Sequence, residues 1–317
     1  MSKMKVLSFQ QYGPPSTLEF LEREIPEPGP GEVLIKVAAT AINPSDVKNV
    51  SGHFKAPTPR VPGRDYAGTI IVGDGRQGEE VWGSGPGFGV ARDGAHAEYF
   101  VIPSAWVSCK PPLLSMEQAA AVGVPYLAAW SALVTAGEIQ AGETVLVTGV
   151  SGAVGRAATQ IAHWKKARVI GASRSLDNPS GADAIIDTSR QDLVEEVRAL
   201  TEGKGANLVL DVIGGALFEP CLNALRRGGR QIAIASNPQV VSFNLVEYYH
   251  GLKHLIGVDT MGLSGPEIVS LMDQMRAGFE KGVLQPPAIQ TWSFDQAVEA
   301  YETVANGSPK KHVLTLP

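Results

Sequence analysis

The chain has 317 residues, of which 44% are hydrophobic and 19% charged, and its net charge is -5. This balance is typical of a globular protein with two domains, and it gives no reason to expect nucleic acid as a partner, because no run of Lys or Arg exceeds two residues. The two cysteines are far apart and the N-terminus carries no signal-peptide pattern, which excludes a disulfide-rich scaffold and predicts a cytoplasmic protein that does not enter a membrane.

The first part of the chain, up to Ala105, is predicted to be rich in short strands separated by turns that contain Gly and Pro. A helical turn is expected to begin at Ser45 or Asp46 and to close at Ser51–Phe54. This pattern favours a β-rich, partly closed domain. The predicted strands are 4–9, 18–22, 33–42, 66–72, 80–83 and 96–101.

From Ser115 onward the pattern becomes helical, and from Val145 strands and helices alternate. Alternation of this kind predicts a parallel sheet with helices on both faces. Gly123-Val124-Pro125-Tyr126 is expected to break the helical stretch that runs from 116 to 136. Further strands are predicted at 145–148, 168–172, 184–187, 207–211, 230–235, 254–258 and 311–316, and helices at 154–164, 190–200, 216–226, 264–281 and within 292–305.

The stretch from Val145 to Ala158, VLVTGVSGAVGRAA, predicts a nucleotide site. A short apolar strand turns through spaced glycines into a helix, whose first backbone N–H groups and positive dipole end suit a pyrophosphate. Gly152 would allow the phosphate to approach closely, and Gly155 would allow the helix to pack on the strand. The cofactor-binding residues predicted here are Thr148, Gly149, Ser151, Gly152, Ala153, Val154 and Gly155.

Several motifs resemble those of the medium-chain dehydrogenase/reductase superfamily, and within it the zinc-free quinone oxidoreductases of the zeta-crystallin type and the 2-enoyl-thioester reductases. The motifs are Asn43-Pro44-Ser45-Asp46, Val61 to Gly68, Gly94 to Tyr99, the glycine loop and Phe294-x-x-Ala297-x-x-Ala300-Tyr301-Glu302. The resemblance implies an α/β fold in which a GroES-like, β-rich catalytic domain joins a Rossmann domain with a doubly wound parallel sheet. It places the catalytic domain at 1–122 and 263–317 and the Rossmann domain at 123–262, with an active cleft between them, and it implies a homodimer.

Zinc is not expected, although many members of this superfamily are metal alcohol dehydrogenases. Their catalytic metal needs a thiolate and an imidazole. Asn43 stands where the resemblance places the thiolate, and Arg64 stands where it places the imidazole. An amide is a poor zinc ligand and a guanidinium cannot ligate a cation. The pair His250 and His254 keeps a metal open as an alternative, against a structural or solvated role.

The end of the second strand of the parallel sheet predicts NADPH as the cofactor. Enzymes that use NAD commonly place an Asp or Glu there, about 20 residues after the loop, to bind the ribose 2′-hydroxyl. Here the strand runs into Ser173-Arg174-Ser175, and Asp177 comes only later. A hydroxyl and a guanidinium suit a 2′-phosphate, because charge-assisted hydrogen bonds contribute about 1.5–3 kcal/mol each. The alternative is that Arg174 is only a surface charge.

The carboxyl ends of the other strands supply the remaining predicted cofactor contacts. These residues are Val212, Ile213, Gly214, Ala235 and Ser236.

The resemblance implies hydride transfer to a quinone or to an α,β-unsaturated carbonyl, with a protein that positions the acceptor and supplies a proton. The predicted catalytic residues are Asn43, Arg64, Tyr66 and Tyr126, although Arg64 and Asp65 have a structural ion pair as their alternative. Phe54 stands where the 2-enoyl-thioester reductases have a proton-donating tyrosine, so the proton would come from Tyr66, Tyr126 or water. This favours a quinone or a simple enone, and 2-enoyl-thioester reduction stays as the alternative.

Two other interpretations of the sequence remain. Tyr249-x-x-x-Lys253 and the glycine loop approximate the pattern of the short-chain dehydrogenases, but here the loop lies in the middle of the chain rather than near the N-terminus. The tyrosine segment also falls between the last two predicted strands of the parallel sheet rather than on a long central helix. The chain would otherwise be a non-catalytic NADPH-binding protein, of the crystallin or sensor kind.

Overall fold

The computed structural model describes residues 2–174 and 180–317, and these divide into two units. The β-rich unit takes Met1–Val124 and Met261–Pro317, and the parallel-sheet unit takes Pro125–Thr260. The boundaries that the family resemblance implies, 122/123 and 262/263, stay a prediction.

Strands predominate in the first part of the described chain, and strands and helices alternate through much of the rest. The strands are β1 (Lys3–Phe9), β2 (Leu18–Glu24), β3 (Glu32–Ile42), β4 (Asp65–Val72), β5 (Glu80–Ser84), β6 (Tyr99–Pro103), β7 (Ser108–Cys109), β8 (Thr144–Thr148), β9 (Arg168–Ser173), β10 (Ala184–Asp187), β11 (Ala206–Asp211), β12 (Leu225–Ala233), β13 (His254–Gly257), β14 (Ile289–Ser293) and β15 (Lys311–Thr315). The helices are α1 (Pro44–Val50), α2 (Met116–Ala120), α3 (Gly123–Trp130), α4 (Ala153–Trp164), α5 (Leu193–Leu200), α6 (Phe218–Ala224), α7 (Leu245–His250), α8 (Gly265–Glu280) and α9 (Ala297–Ala305).

The β-rich unit is organised around β3, the long central strand of its larger sheet. The strand order is β14-β15-β3-β4-β5-β7, and β6 also pairs with β3, while β1 and β2 form a separate antiparallel pair. Because β15 lies between β14 and β3, the C-terminal strand is an interior strand of a sheet that begins near the N-terminus. One apolar core includes side chains of β1 and α9, and a second includes side chains of β3, β4, β5 and β6.

The parallel-sheet unit has the strand order β10-β9-β8-β11-β12-β13, and all of its pairings are parallel. Counted from β8, this is the order 3-2-1-4-5-6 of the doubly wound dinucleotide fold. The predicted fold class, a GroES-like β-rich domain with a Rossmann domain, is confirmed. The order reverses between β8 and β11, and ligands of such sheets bind outside the carboxyl ends of the strands at this point.

The predicted helix break at Gly123–Tyr126 is wrong, because α3 begins at Gly123 and contains Pro125 in its first turn. A proline is tolerated there, since the first N–H groups of a helix have no partner within the helix. The helix continues as a π-helical segment over Ser131–Ala136.

Other differences concern strand ends and short elements. The fifth strand of the parallel sheet begins at Leu225 rather than at 230, and β6 covers 99–103 rather than 96–101. The sequence pattern did not predict β7, β14 or α7. No helix among the described residues is long and apolar enough to cross a membrane.

Candidate functional site

A buried polar cluster in the β-rich unit contains two of the predicted motifs. We define the polar cluster as Asn43, Asp46, Asp65 and Lys311, all of them buried. The Asn43 Nδ2 atom donates to Asp46 Oδ2 at 3.1 Å and to Asp65 Oδ2 at 2.9 Å. The Lys311 Nζ atom donates to Asn43 Oδ1 and lies 3.7 Å from Asp65 Oδ2. The Asn43 amide therefore links an ammonium to two carboxylates.

Local sequence explains how α1 and β4 bring these groups together. Asn43 is the N-cap of α1, Pro44 occupies its first turn, and the Asp46 side chain accepts from the Asn43 backbone N–H at 2.7 Å, which completes a capping box. Asp65 begins β4, and its Oδ1 atom accepts from the Val124 backbone N–H at 2.9 Å. Asp65 thus connects α1, β4, β15 and the start of α3.

Within the polar cluster, interactions between opposite charges counteract the pKa shifts that burial causes. Burial raises the pKa of both Asp46 and Asp65, while Lys311 and the nearby guanidinium of Arg64 act in the opposite direction. Burial also lowers the pKa of Lys311, and the two carboxylates oppose that shift. Arg64 is itself buried, at 6% exposure, so it belongs to this electrostatic group and not to an exposed binding surface.

The ligand set that zinc requires is poorly matched by the polar cluster. The amide of Asn43 is already bonded to two carboxylates, and an ammonium lies against it. A second cation here would be repelled by Lys311 and Arg64. Within 2–174 and 180–317, no group of three or more His, Cys, Asp or Glu side chains is placed to hold a metal ion. His250 and His254 therefore belong to no such group.

Tyr66, a predicted catalytic residue, lies among aromatic side chains of the β-rich unit. It follows Asp65 in β4, so its side chain points to the opposite face of the strand. Its ring centroid lies 4.8 Å from that of Phe100 and 6.3 Å from that of Phe88, and the residue is 1% exposed. Burial raises the pKa of its hydroxyl well above the ordinary value. Tyr66 is a core residue of the β-rich unit.

Tyr126 lies in the first turn of α3, within the parallel-sheet unit. The residue is 1% exposed, and its hydroxyl is hydrogen-bonded to the Gln160 side chain of α4. Burial raises the pKa of the hydroxyl well above its ordinary value, so it stays protonated at neutral pH. The structure does not test whether Tyr126 donates a proton, and its catalytic role stays a prediction.

The glycine loop joins β8 to α4 as the sequence pattern predicts. Gly149 has φ of +57°, a conformation that favours glycine, and Gly152 is the N-cap of α4. A Cβ atom at Gly155 would lie 2.5 Å from the Val150 Cα atom and 2.6 Å from the Gly149 carbonyl oxygen. The first turn of α4 therefore packs directly on the loop backbone, with Ala153 and Val154 at its start. A helix N-terminus presented in this way is suited to an anion such as a pyrophosphate.

The end of β9 is bonded to the glycine loop. The Val150 N–H donates to the Ala172 carbonyl oxygen at 3.3 Å, and the Ser151 and Ser173 hydroxyls are 3.2 Å apart. Arg174 directly follows and is exposed. Ser173 and Arg174 therefore lie at the carboxyl end of β9, beside the glycine loop, whereas Ser175 and Asp177 lie outside the described residues.

A buried carboxylate that was not predicted, Asp211, shapes the loop after β11. Its Oδ1 atom accepts from the Thr148 hydroxyl at 2.9 Å and from the Ile213 and Gly214 N–H groups at 3.1 and 2.9 Å. The Val212 N–H in turn donates to the Thr148 hydroxyl oxygen at 3.0 Å. Asp211 and the Thr148 hydroxyl together thus hold Val212, Ile213 and Gly214 at the end of β8. The sequence did carry a signal for Asp211, because an acidic residue at the end of a buried apolar strand needs polar partners nearby.

The loop after β12 packs on the loop after β11. A Cβ atom at Gly214, where φ is +66°, would lie 2.7 Å from the Ser236 Cα atom and 2.8 Å from the Ala235 carbonyl oxygen. The predicted cofactor residues at the ends of these two strands therefore form one surface. They lie at the carboxyl edge of the sheet together with the glycine loop.

Tyr249 and Lys253 do not form the arrangement that a short-chain dehydrogenase needs. Tyr249 lies on the six-residue helix α7 and is 53% exposed, and Lys253 comes after that helix has ended. The short helix leads into β13, the edge strand of the sheet. Both observations agree with the argument from sequence position against that family.

Comparisons with known proteins agree with this architecture. A family model described as "Zinc-binding dehydrogenase" matches residues 153–274, and one described as "Alcohol dehydrogenase GroES-like domain" matches residues 29–112. A zinc-type alcohol dehydrogenase-like protein of Schizosaccharomyces pombe is 36% identical to this chain. The match covers 99% of this chain and 97% of the relative. The quinone oxidoreductase of Homo sapiens is 28% identical, over 96% of this chain and 95% of its own.

Solved structures show the same fold. An alcohol dehydrogenase superfamily protein from Novosphingobium aromaticivorans is 28% identical and superposes with a TM-score of 0.88, over 99% of this chain and 100% of its own.

Proposed function

The chain belongs to the medium-chain dehydrogenase/reductase superfamily, in its quinone oxidoreductase-like branch, and from this premise we propose a zinc-independent, NADPH-dependent reductase of quinones or α,β-unsaturated carbonyls. Membership makes the protein an oxidoreductase that uses a nicotinamide cofactor and a small-molecule substrate. The choice of NADPH, the independence from zinc and the class of acceptor are the proposal.

The polar cluster is the observation that carries the proposal. Its internal cation is the ammonium of Lys311, bonded to Asn43 and close to Asp65, in the motif region where zinc enzymes of the superfamily hold their metal ligands. The family model and the S. pombe relative both have zinc in their names, but Asn43 and Arg64 offer neither a thiolate nor an imidazole. A reaction without a Lewis acid favours an acceptor that is already electrophilic, such as a quinone or an enone.

The residues at the carboxyl edge of the parallel sheet fit a dinucleotide. The glycine loop and the first turn of α4 would hold the pyrophosphate, and Ser173 with Arg174 would hold a 2′-phosphate. The bound cofactor supplies the hydride. In our proposal the protein orients the acceptor and provides a proton, for which Tyr126 or water stays the candidate, since Tyr66 is packed in the core.

An acceptor panel tests the proposed reaction. Oxidation of NADPH and of NADH would be followed by absorbance with a quinone, an enone and an enoyl thioester, before and after treatment of the enzyme with a zinc chelator. We expect turnover with the quinone or the enone, faster with NADPH, and unchanged by the chelator. Activity that disappears with the chelator and returns with zinc would refute the zinc-independent mechanism. Turnover on the enoyl thioester alone would favour the alternative reductase, and binding without turnover on any acceptor would favour a non-catalytic protein.

A matched pair of variants tests the choice of NADPH. Arg174→Ala should raise the KM for NADPH and leave the KM for NADH nearly unchanged, because only NADPH carries the 2′-phosphate. Arg190→Ala is the control, since this exposed arginine near the carboxyl end of β10 is paired with Asp187. Equal effects of Arg174→Ala on both cofactors would contradict the assignment.

We also propose a homodimer that forms through the edge strand β13. Apolar side chains around this edge are exposed to a degree that is unusual for large hydrophobic residues. They are Leu245, Val246, Tyr249, Leu252 and Leu255, with exposures between 38% and 61%. An edge strand with unpaired backbone groups and apolar neighbours favours pairing with a second copy of the chain.

A further inference from the structure

Arg156 is held beside the glycine loop by a specific hydrogen bond. It lies in the first turn of α4 immediately after Gly155, and its Nε atom donates to the Ser151 carbonyl oxygen at 2.9 Å. The residue is half-buried. This bond fixes the plane of the guanidinium next to the loop, which limits the entropy that the side chain would lose on binding a ligand.

The same Ser151 connects Arg156 to the end of β9. The Ser151 hydroxyl lies 3.2 Å from the Ser173 hydroxyl, and Arg174 follows Ser173 in the chain. Arg156 is thus bonded to the backbone carbonyl of the serine whose hydroxyl lies beside Ser173, the residue that precedes Arg174. Both arginines therefore belong to segments that meet where the glycine loop contacts the end of β9.

We propose that Arg156 is a specificity-determining residue that binds the 2′-phosphate of NADPH together with Ser173 and Arg174. This inference rests on the proposed use of NADPH. A planar guanidinium offers paired N–H donors that match two oxygens of a phosphate, and a phosphate dianion is best neutralised by more than one cation. The pyrophosphate has its own donors, the N–H groups at the start of α4, so Arg156 supplies what the 2′-phosphate lacks.

A purely structural role for Arg156 makes a different prediction. If the arginine only braces the glycine loop through Ser151, its loss disturbs the site of the pyrophosphate, which NADH and NADPH share. Binding of both cofactors would then weaken by the same factor. If the arginine contacts the 2′-phosphate, only ligands that carry this phosphate are affected. The ratio of two dissociation constants, measured on one variant, separates these roles.

The test measures binding of NADPH and NADH by fluorescence to the full-length protein and to Arg156→Gln and Arg156→Lys. Adenosine 2′,5′-bisphosphate and adenosine 5′-monophosphate serve as smaller probes of the same difference. For Arg156→Gln we expect the Kd of NADPH and of the bisphosphate to rise about tenfold or more, because a charge-assisted hydrogen bond is lost. The Kd of NADH and of the monophosphate should change less than about twofold.

Arg168→Gln is the matched control, because it removes the same charge from the N-terminal end of β9, where the guanidinium is bonded to the Leu200 carbonyl oxygen. It should leave both cofactors unaffected. Arg156→Lys keeps the charge but loses the planar fork, so we expect an intermediate Kd for NADPH that remains sensitive to salt. This variant also carries the test if Arg156→Gln does not fold.

Two outcomes overturn the inference while leaving the proposed function intact. In one, Arg156→Gln weakens NADPH and NADH equally; in the other, it changes neither, although the wild type prefers NADPH. A wild type that binds NADH as well as NADPH would instead contradict the proposed cofactor choice itself.

Discussion

Lys311 is the residue on which the polar cluster depends, because it brings a positive charge against the Asn43 amide and Asp65. Its removal would leave two buried carboxylates, for which the guanidinium of Arg64 is the remaining nearby cation among the described residues. A buried ion pair that loses one partner is destabilised by about 3–5 kcal/mol, since the remaining charge has no compensation.

We therefore expect Lys311→Met to lower the free energy of unfolding by about 3 kcal/mol in urea denaturation. The neighbouring Lys310 is exposed, so Lys310→Met is the control and should change stability by less than about 0.5 kcal/mol. Equal stabilities of the two variants would show that the ammonium does not hold the cluster together.

His96 is a second buried ionisable residue of the β-rich unit. Its Nε2 atom lies 3.4 Å from the Ala41 carbonyl oxygen and its Nδ1 atom 3.0 Å from the Tyr301 hydroxyl. Because a carbonyl can only accept, Nε2 carries the hydrogen and Nδ1 accepts from Tyr301. This neutral form has all its partners, and burial lowers the pKa of His96 to about 4.

The shift of His96 predicts a loss of stability in mild acid. Between pH 6.5 and pH 4 the unfolded chain binds a proton at this histidine and the folded chain does not, so stability falls as the pH falls through this window. The full effect is about 3 kcal/mol, reached near pH 4. Urea denaturation at several pH values should show a steeper decline for the wild type than for His96→Gln. Parallel curves would contradict the neutral buried histidine.

At the scale of elements, the tight contact between the glycine loop and α4 decides how the helix N-terminus is presented. A Cβ atom at Gly155 would meet backbone atoms, which cannot move aside as a flexible side chain can. Gly155→Ala should therefore displace α4 from the loop and raise the Kd of NADPH and NADH alike, by about tenfold.

Gly257→Ala is the control for this element, because a Cβ atom there would meet open space among the described residues. It should leave the Kd of both cofactors unchanged. A Gly155→Ala variant that binds both cofactors normally would show that the loop is not the pyrophosphate site.

Local sequence patterns predicted most elements of the parallel sheet. They did not predict contacts that depend on residues far apart in the sequence. The run Ala184–Asp187 was predicted as a strand with the observed bounds, because its short apolar run and its flanking residues are local signals. The first turn of the helix Gly123–Trp130 was predicted as a break, since a Gly and a Pro near a helix start look like one. Nothing near Lys311 indicates that its partner is Asn43, 268 residues earlier, because that contact is set by the pairing of β15 with β3.

In the candidate site, too, residues with local signals were predicted and residues that depend on long-range contacts were not. The glycine loop and Ser173 were recognisable because their spacing is local, and the structure places them together. Asp211 and Arg156 were not recognised, because their partners belong to other elements or to the backbone. The motif position of Tyr66 does not show that its side chain packs on Phe100, and its catalytic role stays a prediction.

At the scale of the whole molecule, the apolar edge around β13 predicts the oligomeric state. Leu255→Lys would place an ammonium on the edge strand, where a second copy of the chain could not bury it without a partner. We expect light scattering after gel filtration to give the mass of a dimer for the wild type and of a monomer for this variant. Val283→Lys, at a similarly exposed apolar position of the β-rich unit, should stay dimeric. A wild type that is monomeric at micromolar concentration would refute the proposed interface.

The interior position of β15 has a consequence for folding of the protein during its synthesis on the ribosome. The strand β15 carries Lys311 and lies between β14 and β3, so the larger sheet of the β-rich unit cannot be completed until residue 315 has been translated. The parallel-sheet unit, Pro125–Thr260, is complete well before then. During synthesis, the parallel-sheet unit can therefore fold before Lys311 is available to bind Asn43 and Asp65.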